Sequence, residues 1–222
     1  MATKRLISWL FAFVPLLITL FMLPLLPDTV PAHYGSGGNV TRFGSKYEML
    51  ILPAIAILMG FLSLLIEKNW AKKGEKGQQN IKVSYWIGIS LSMLFTALQI
   101  WILHLAYSNA ESIHSGNFSS MKIVSVSFSL FFIIIGNSIP KCKQNYLMGI
   151  RTPWTLKNEA TWHKTHRFGG LMMVIFGIIS ALLCLFVLDG FTGLQFSIGG
   201  FLILVPVIML YSRNIYKQET QK

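Results

Sequence analysis

The sequence predicts an all-α polytopic membrane protein with six transmembrane helices and a short interfacial cytoplasmic helix. Three observations carry that reading. Of 222 residues, 53% are apolar and only 12% are charged, against about 25% charged in soluble domains. The apolar residues fall into six blocks, each near the ~20 residues a helix needs to cross about 30 Å of hydrocarbon. Lys and Arg are sorted to one side of those blocks, as membrane topology requires. The net charge of +11 therefore reflects topology, and no nucleic-acid partner is expected.

The blocks run over residues 6–26, 47–66, 83–105, 121–139, 169–188 and 194–211. The first follows Lys4 and Arg5 and is longer than the 7–15 apolar residues of a signal peptide, so it reads as a retained span. Pro15 and Pro24 are expected to bend it; Pro53 and Pro206 mark the second and sixth blocks. The connections at 67–82 and 140–168, with both termini, hold sixteen of the nineteen Lys and Arg residues, and Arg42, Lys46 and Lys122 fall on the other side. This bias predicts a multi-pass protein of the bacterial cytoplasmic membrane with N- and C-termini in the cytoplasm.

The blocks hold almost nothing ionisable. His104, Gln99 and Asn137 stand out among their polar members, and the scarcity of intramembrane charge argues against ion-coupled transport. Gly169-Gly170 and Gly199-Gly200 read as sites of close helix approach. Cys142 lies in a polar connection and Cys184 in an apolar run, so a disulfide is not expected, nor a metal site from cysteine spacing. The 67–82 connection reads as a solvated linker. Asn39-Val40-Thr41 and Asn117-Phe118-Ser119 match the glycosylation pattern as chance would allow. The chain divides into an N-terminal membrane half, 1–120, with an outer Pro/Gly loop at 27–46, and a C-terminal half, 121–222, with an inner loop at 140–168.

The outer loop is stiffened by Pro27 and Pro31 and given turning freedom by Gly35, Gly37 and Gly38. It presents Asp28, His33, Arg42 and Lys46. These residues either close the bundle, with Asp28 or His33 satisfying backbone donors or paired to Arg42, or form a recognition surface for an extracellular ligand. A catalytic or metal role for a lone His33 is the weakest of the three readings.

The inner loop is the densest in chemistry. Pro140 stops the fourth span. Thr152 or Thr155 can cap a helix that Pro153 starts, predicting a short helix over 156–167. On it Glu159, Trp162, His163 and His166 share one face. Trp154 and Trp162 suit the headgroup region, and Arg151 is an anion fork. Anchorage to membrane lipids, a binding site for a cytoplasmic or lipid partner, and a metal or catalytic site built from Glu159, His163 and His166 all fit the residues. The last differs from the His-Glu-x-x-His pattern.

Gly149-Ile150-Arg151-Thr152-Pro153-Trp154-Thr155-Leu156, with Trp162, Thr165-His166-Arg167 and the following glycine pair, resembles the C-terminal half of the SdpI family. Gly136-Asn137 and Asn145-Tyr146 also fit. The stretch from Leu26-Pro27-Asp28 through Pro31-Ala32-His33 to Gly38, Arg42 and Lys46 is similar to a domain of unknown function often found at the N-terminus of such proteins. The resemblance implies a six-helix, non-enzymatic immunity or resistance protein against a secreted membrane-active toxin peptide, sometimes with a signalling role through a cytoplasmic regulator. No cofactor and no metal are expected. The expected site residues are Asp28, His33, Arg42 and Lys46 outside, and Asn137, Asn145, Arg151, Thr152, Trp154, Glu159, Trp162, His163 and His166 inside. The competing reading is a membrane-embedded enzyme, metal-dependent or not, that uses the His-containing loops.

Overall fold

Long apolar runs become helices because hydrocarbon offers nothing to an unpaired N–H or C=O. The computed structural model describes residues 2–35, 38–113 and 118–221; His114 and Asn117 lie outside the described residues. The helices are α1 (Ala2–Met22), α2 (Ile51–Ala71), α3 (Gly74–Tyr107), α4 (Phe118–Ser138), α5 (Pro153–Lys157), α6 (Glu159–Phe186) and α7 (Gly190–Thr220). All but α5 are long and apolar enough to cross a membrane. Their outer faces confirm the solvent they need: Phe21, Phe186 and Ile203 are 75%, 79% and 67% exposed, a surface that is stable against lipid and not against water. This is a multi-pass membrane protein.

Helices α1, α2 and α3 pack on one another, α4, α6 and α7 do the same, and α3 lies against α4. Gly136 and Gly170 set the closest approach. A Cβ on Gly170 would stand 2.5 Å from the Gly136 carbonyl, and one on Gly136 would stand 2.6 Å from the Gly170 carbonyl. The Gly199-Gly200 pair is different: Gly199 faces open space, and only Gly200 is packed, on the Phe176 ring. Further along the same helices, Ser129 donates to Ser180 at 3.0 Å, Ser180 bonds Ser197 at 2.7 Å, and Ser125 donates to the Gly190 carbonyl at 2.6 Å. This buried seam of small hydroxyls joins three helices where hydrocarbon packing alone gives little drive to associate.

Four expectations need correction. The 67–82 connection is helical almost throughout, and α2 and α3 are separated only by the turn at 72–73, with Gly74 at φ 61°. The 27–46 loop contains an antiparallel hairpin, β1 (Thr29–Tyr34) and β2 (Val40–Ser45), with Val30 opposite Gly44 and His33 opposite Arg42. The short helix beside the six spans is Pro153–Lys157, not 156–167. Residues 159–167 instead form the first turns of α6, because Asn158 caps that helix by accepting from the Thr161 N–H at 2.8 Å. Finally, Pro15 lies inside α1, whereas Pro24 sits in the tight turn Leu23–Leu25 that ends it.

A two-stranded ribbon is marginal alone. Here Val30, fully buried, packs with Leu26, Met49, Leu103 and Ala106. The Val40 N–H donates to the Glu111 carbonyl at 2.9 Å, and the Ile113 N–H to Gly38 at 2.7 Å. The hairpin is thus tied to the end of α3. The start of α1, the end of α7, the α2–α3 turn and residues 139–158 lie at the opposite end, joined there by Lys76 to Glu159 at 3.2 Å and Lys164 to Glu219 at 2.7 Å.

Replacing Gly170 with Leu is expected to force α4 and α6 apart and cost about 1–3 kcal/mol, the usual penalty for overpacking. Gly199→Leu should leave stability within about 0.5 kcal/mol, as for exposed substitutions. Thermal unfolding of both variants in detergent checks the contrast.

Candidate functional site

The segment from Cys142 to Thr152 leaves α4 without regular structure, yet its polar groups are engaged one by one. Asn80 of α3 accepts from the Lys143 N–H at 2.8 Å and donates back to the Lys143 carbonyl at 3.3 Å. Asn145 folds the next turn: its Oδ1 accepts from the N–H groups of Leu147 and Met148, both at 2.8 Å, and its Nδ2 donates to the Lys143 carbonyl at 2.8 Å. The Trp162 indole donates to the Cys142 carbonyl at 2.8 Å. Gln144 donates to the carbonyls of Thr155 and Leu156 at 2.8 and 3.0 Å.

His166 closes the segment. Its Nε2 accepts from the Ile150 N–H at 3.0 Å, and its Nδ1 faces the Trp162 carbonyl at 2.8 Å. A carbonyl can only accept, so Nδ1 carries the proton and Nε2 does not. The geometry therefore fixes one neutral tautomer. The ring stacks on Trp162 with centroids 4.0 Å apart, and both side chains are fully buried. Gly149 makes room for them. It sits at φ 106°, and a Cβ there would lie 2.5 Å from His166 Nε2. Both conditions demand glycine.

Thr152 begins α5 with a reciprocal capping box. Its hydroxyl accepts from the Thr155 N–H at 3.1 Å, and the Thr155 hydroxyl accepts from the Thr152 N–H at 2.9 Å. The Thr152 hydroxyl also bonds Ser212 of α7 at 2.6 Å. Thr155 donates to the Ile150 carbonyl at 2.8 Å. The loop is stapled to α3, α6 and α7 at once.

The expected inner residues separate into two groups. Asn145, Thr152, Trp162 and His166 belong to this network, and Trp162 is a core residue, not a headgroup anchor. Arg151 is exposed and donates to the Tyr146 carbonyl at 2.6 Å, which leaves part of its guanidinium at the surface. Trp154 is half-buried on α5, and Asn137 is exposed on α4 outside the network. The shared face of α6 straddles the edge of the core. Glu159 lies 3.9 Å from His163 and faces Lys76, whereas His166 points inward with both nitrogens engaged. The three do not converge on one point. Among the described residues, no group of three or more His, Cys, Asp or Glu is placed to hold a metal.

At the hairpin end each expected residue has a partner. Arg42 holds Glu48 with two hydrogen bonds at 3.0 and 2.8 Å, Lys46 meets Asp28 at 2.9 Å, and His33 Nδ1 meets the Thr41 hydroxyl at 2.6 Å. Neither Asp28 nor His33 pairs with Arg42. Sequence reasoning missed Asn80, Gln144, Ser212 and Glu48, because only the folded chain brings them to their partners. The one sequence hint was polar side chains spaced among apolar helix positions.

Two family models match the chain. The model of the SdpI/YfhL protein family covers residues 141–212, the stretch that begins at the stapled loop and ends at Ser212. That C-terminal stretch is what the chain shares with the SdpI/YfhL protein family. The model of a domain of unknown function, DUF1648, covers residues 10–57, spanning most of α1, the hairpin and the start of α2. The chain is similar to a protein named Immunity protein SdpI from Bacillus subtilis (strain 168), with 24% identity over 93% of this chain and 88% of that protein. An uncharacterized protein of Archaeoglobus fulgidus is 51% identical over a shorter stretch, 19% of this chain and 24% of that one. No solved structure matches. The matched stretch therefore contains the loop, the capping box and the stapling residues of α6 and α7, whereas Asn80 of α3 lies outside it.

Cys142, fully buried against Asn80 and Asn145 in that segment, gives a direct check. Burial pushes its thiol up to about 11. Maleimide is expected to leave Cys142 unmodified at pH 7.5 and to label it after denaturation, as mass spectrometry would show. Below about pH 8 the thiol is protonated folded or unfolded and contributes almost no pH dependence. From pH 9 toward 11 only the unfolded thiol ionises, so folding loses stability as pH rises. A Cys142→Ala variant should show a shallower loss in that window.

Proposed function

We propose that this is a non-enzymatic immunity protein of a bacterial cytoplasmic membrane that protects its cell from a secreted, membrane-active toxin peptide. The observation that carries the reading is the likeness to Immunity protein SdpI along 93% of the chain. That alignment is long enough to take in both built ends of the bundle and all six long helices.

In this reading residues 1–120 and 121–222 are two membrane halves, each of three mutually packed helices. The Lys and Arg bias puts the termini and the stapled loop in the cytoplasm and the hairpin outside. The hairpin then offers Asp28, His33, Arg42 and Lys46 to the toxin as a rigid surface, since each side chain is already held by a neighbour. The network around Trp162 and His166 fixes the inner loop, which leaves Arg151, Trp154, Glu159 and His163 at its solvent-facing rim. These four form the face on which a cytoplasmic regulator would dock, with the Arg151 guanidinium as the anion fork.

Expression in a peptide-sensitive host tests the function. Survival across a panel of secreted membrane-active peptides should rise for at least one of them; unchanged sensitivity to all would count against immunity. Arg151→Ala should abolish protection at normal membrane abundance. Full protection by that variant would remove Arg151 from the site. Cysteine placed at position 151 should react with an impermeant reagent only in opened cells, and labelling in intact cells would reverse the orientation.

A further inference from the structure

The hairpin roofs a cavity of about 520 Å³, within the 300–1,000 Å³ of ordinary ligand pockets. Its walls include Ile51, Leu52 and Ile55 of α2 with Trp101 and Ile102 of α3, and Gln99 lines it from within the bundle. Arg42, Glu48 and His33 stand among the residues around it. The lining is apolar apart from these few groups, so the cavity selects an apolar occupant.

Gln99 supplies the second observation. It is fully buried, and its Nε2 donates to the Thr19 hydroxyl at 2.8 Å and to the Met49 carbonyl at 3.0 Å. Because Met49 offers only an acceptor, the amide orientation is fixed: the NH2 faces the protein. The Oε1 is buried and has no hydrogen-bond partner among the described residues. An acceptor left unmatched in apolar surroundings is costly, and a donor that reaches it is correspondingly favoured.

We propose that this cavity binds an aromatic side chain carrying a single hydrogen-bond donor, an indole or a phenol on a membrane-active peptide, with the donor directed at Gln99 Oε1. The inference rests on the immunity reading for the source of the peptide; the pocket chemistry stands apart from it. An acyl chain would fill the space but offers no donor. An indole is apolar over its two rings and carries one N–H and no acceptor, which is the complement of this lining. The cavity also lies under the hairpin, the end of the bundle assigned to toxin recognition.

The probes are indole and N-methylindole, which share a body and differ in the donor. The full chain in phosphatidylcholine nanodiscs is compared with empty discs by saturation-transfer NMR. Indole is expected to bind about tenfold more tightly than N-methylindole, the scale of one satisfied hydrogen bond. Gln99→Met should erase the preference while both probes still bind, and Leu52→Trp, which puts bulk into the cavity from its α2 wall, should exclude both. Equal binding of the two probes to the unaltered chain would overturn the proposal, as would a preference that survives Gln99→Met. Should Gln99→Met fail to fold, indole binding that persists in Leu52→Trp overturns it. The immunity reading fails separately: cells left unprotected while indole preference holds would remove a toxin as the occupant and leave the site.

Discussion

A stretch of irregular backbone set into the end of a membrane bundle must find a partner for its N–H and C=O groups, because an unmet group there costs more than packing returns. Between Cys142 and Thr152 the partners are side chains drawn from four places: Asn80 on α3, Asn145 within the loop, Trp162 and His166 on α6, and Thr155 on α5. Remove that provision and the loop has no reason to stay where it is. The positions of Arg151 at the surface and Thr152 against Ser212 follow from it.

Such a network couples α3, α6 and α7 at this end of the bundle, in addition to the serine seam and the surface ion pairs. His166 joins the loop to α6 as a neutral ring, and Thr152 joins it to α7 through Ser212. A change in how α3 or α7 sits would be felt along the loop through Asn80 or Ser212, and at the exposed Arg151 between them. The segment matched by the SdpI/YfhL family begins and ends on this network, which gives its boundaries a physical sense.

The hairpin end is built on a different economy. Its charged residues pair locally, each pair with at least one well-exposed partner, and pairs of that kind add little stability. What holds the ribbon is Val30 in the apolar cluster beneath it and the backbone bonds to residues 111 and 113. The two ends thus divide the work: buried polar satisfaction fixes one, and apolar anchoring of an otherwise marginal ribbon fixes the other.

The sequence by itself determined the membrane class and the six spans and narrowed the cap to Thr152 or Thr155, since apolar length and capping preference are local properties. It also marked Trp162 and His166 as special, but set Trp162 in the headgroups, where an amphipathic ring is at home when nothing else claims it. Tertiary structure alone decided that this indole is buried, because the acceptor it needs belongs to Cys142, twenty residues earlier in the chain. The same holds for the hairpin, whose prolines and glycines hid its strands until Val30 and the end of α3 supplied a surface. It holds for residues 159–167 as well, where Asn158 and the buried Trp162–His166 stack made the start of a spanning helix out of what amphipathic spacing reads as an interfacial one. Spacing reports which residues share an arc; only the neighbours that close around the arc decide which part of it is buried.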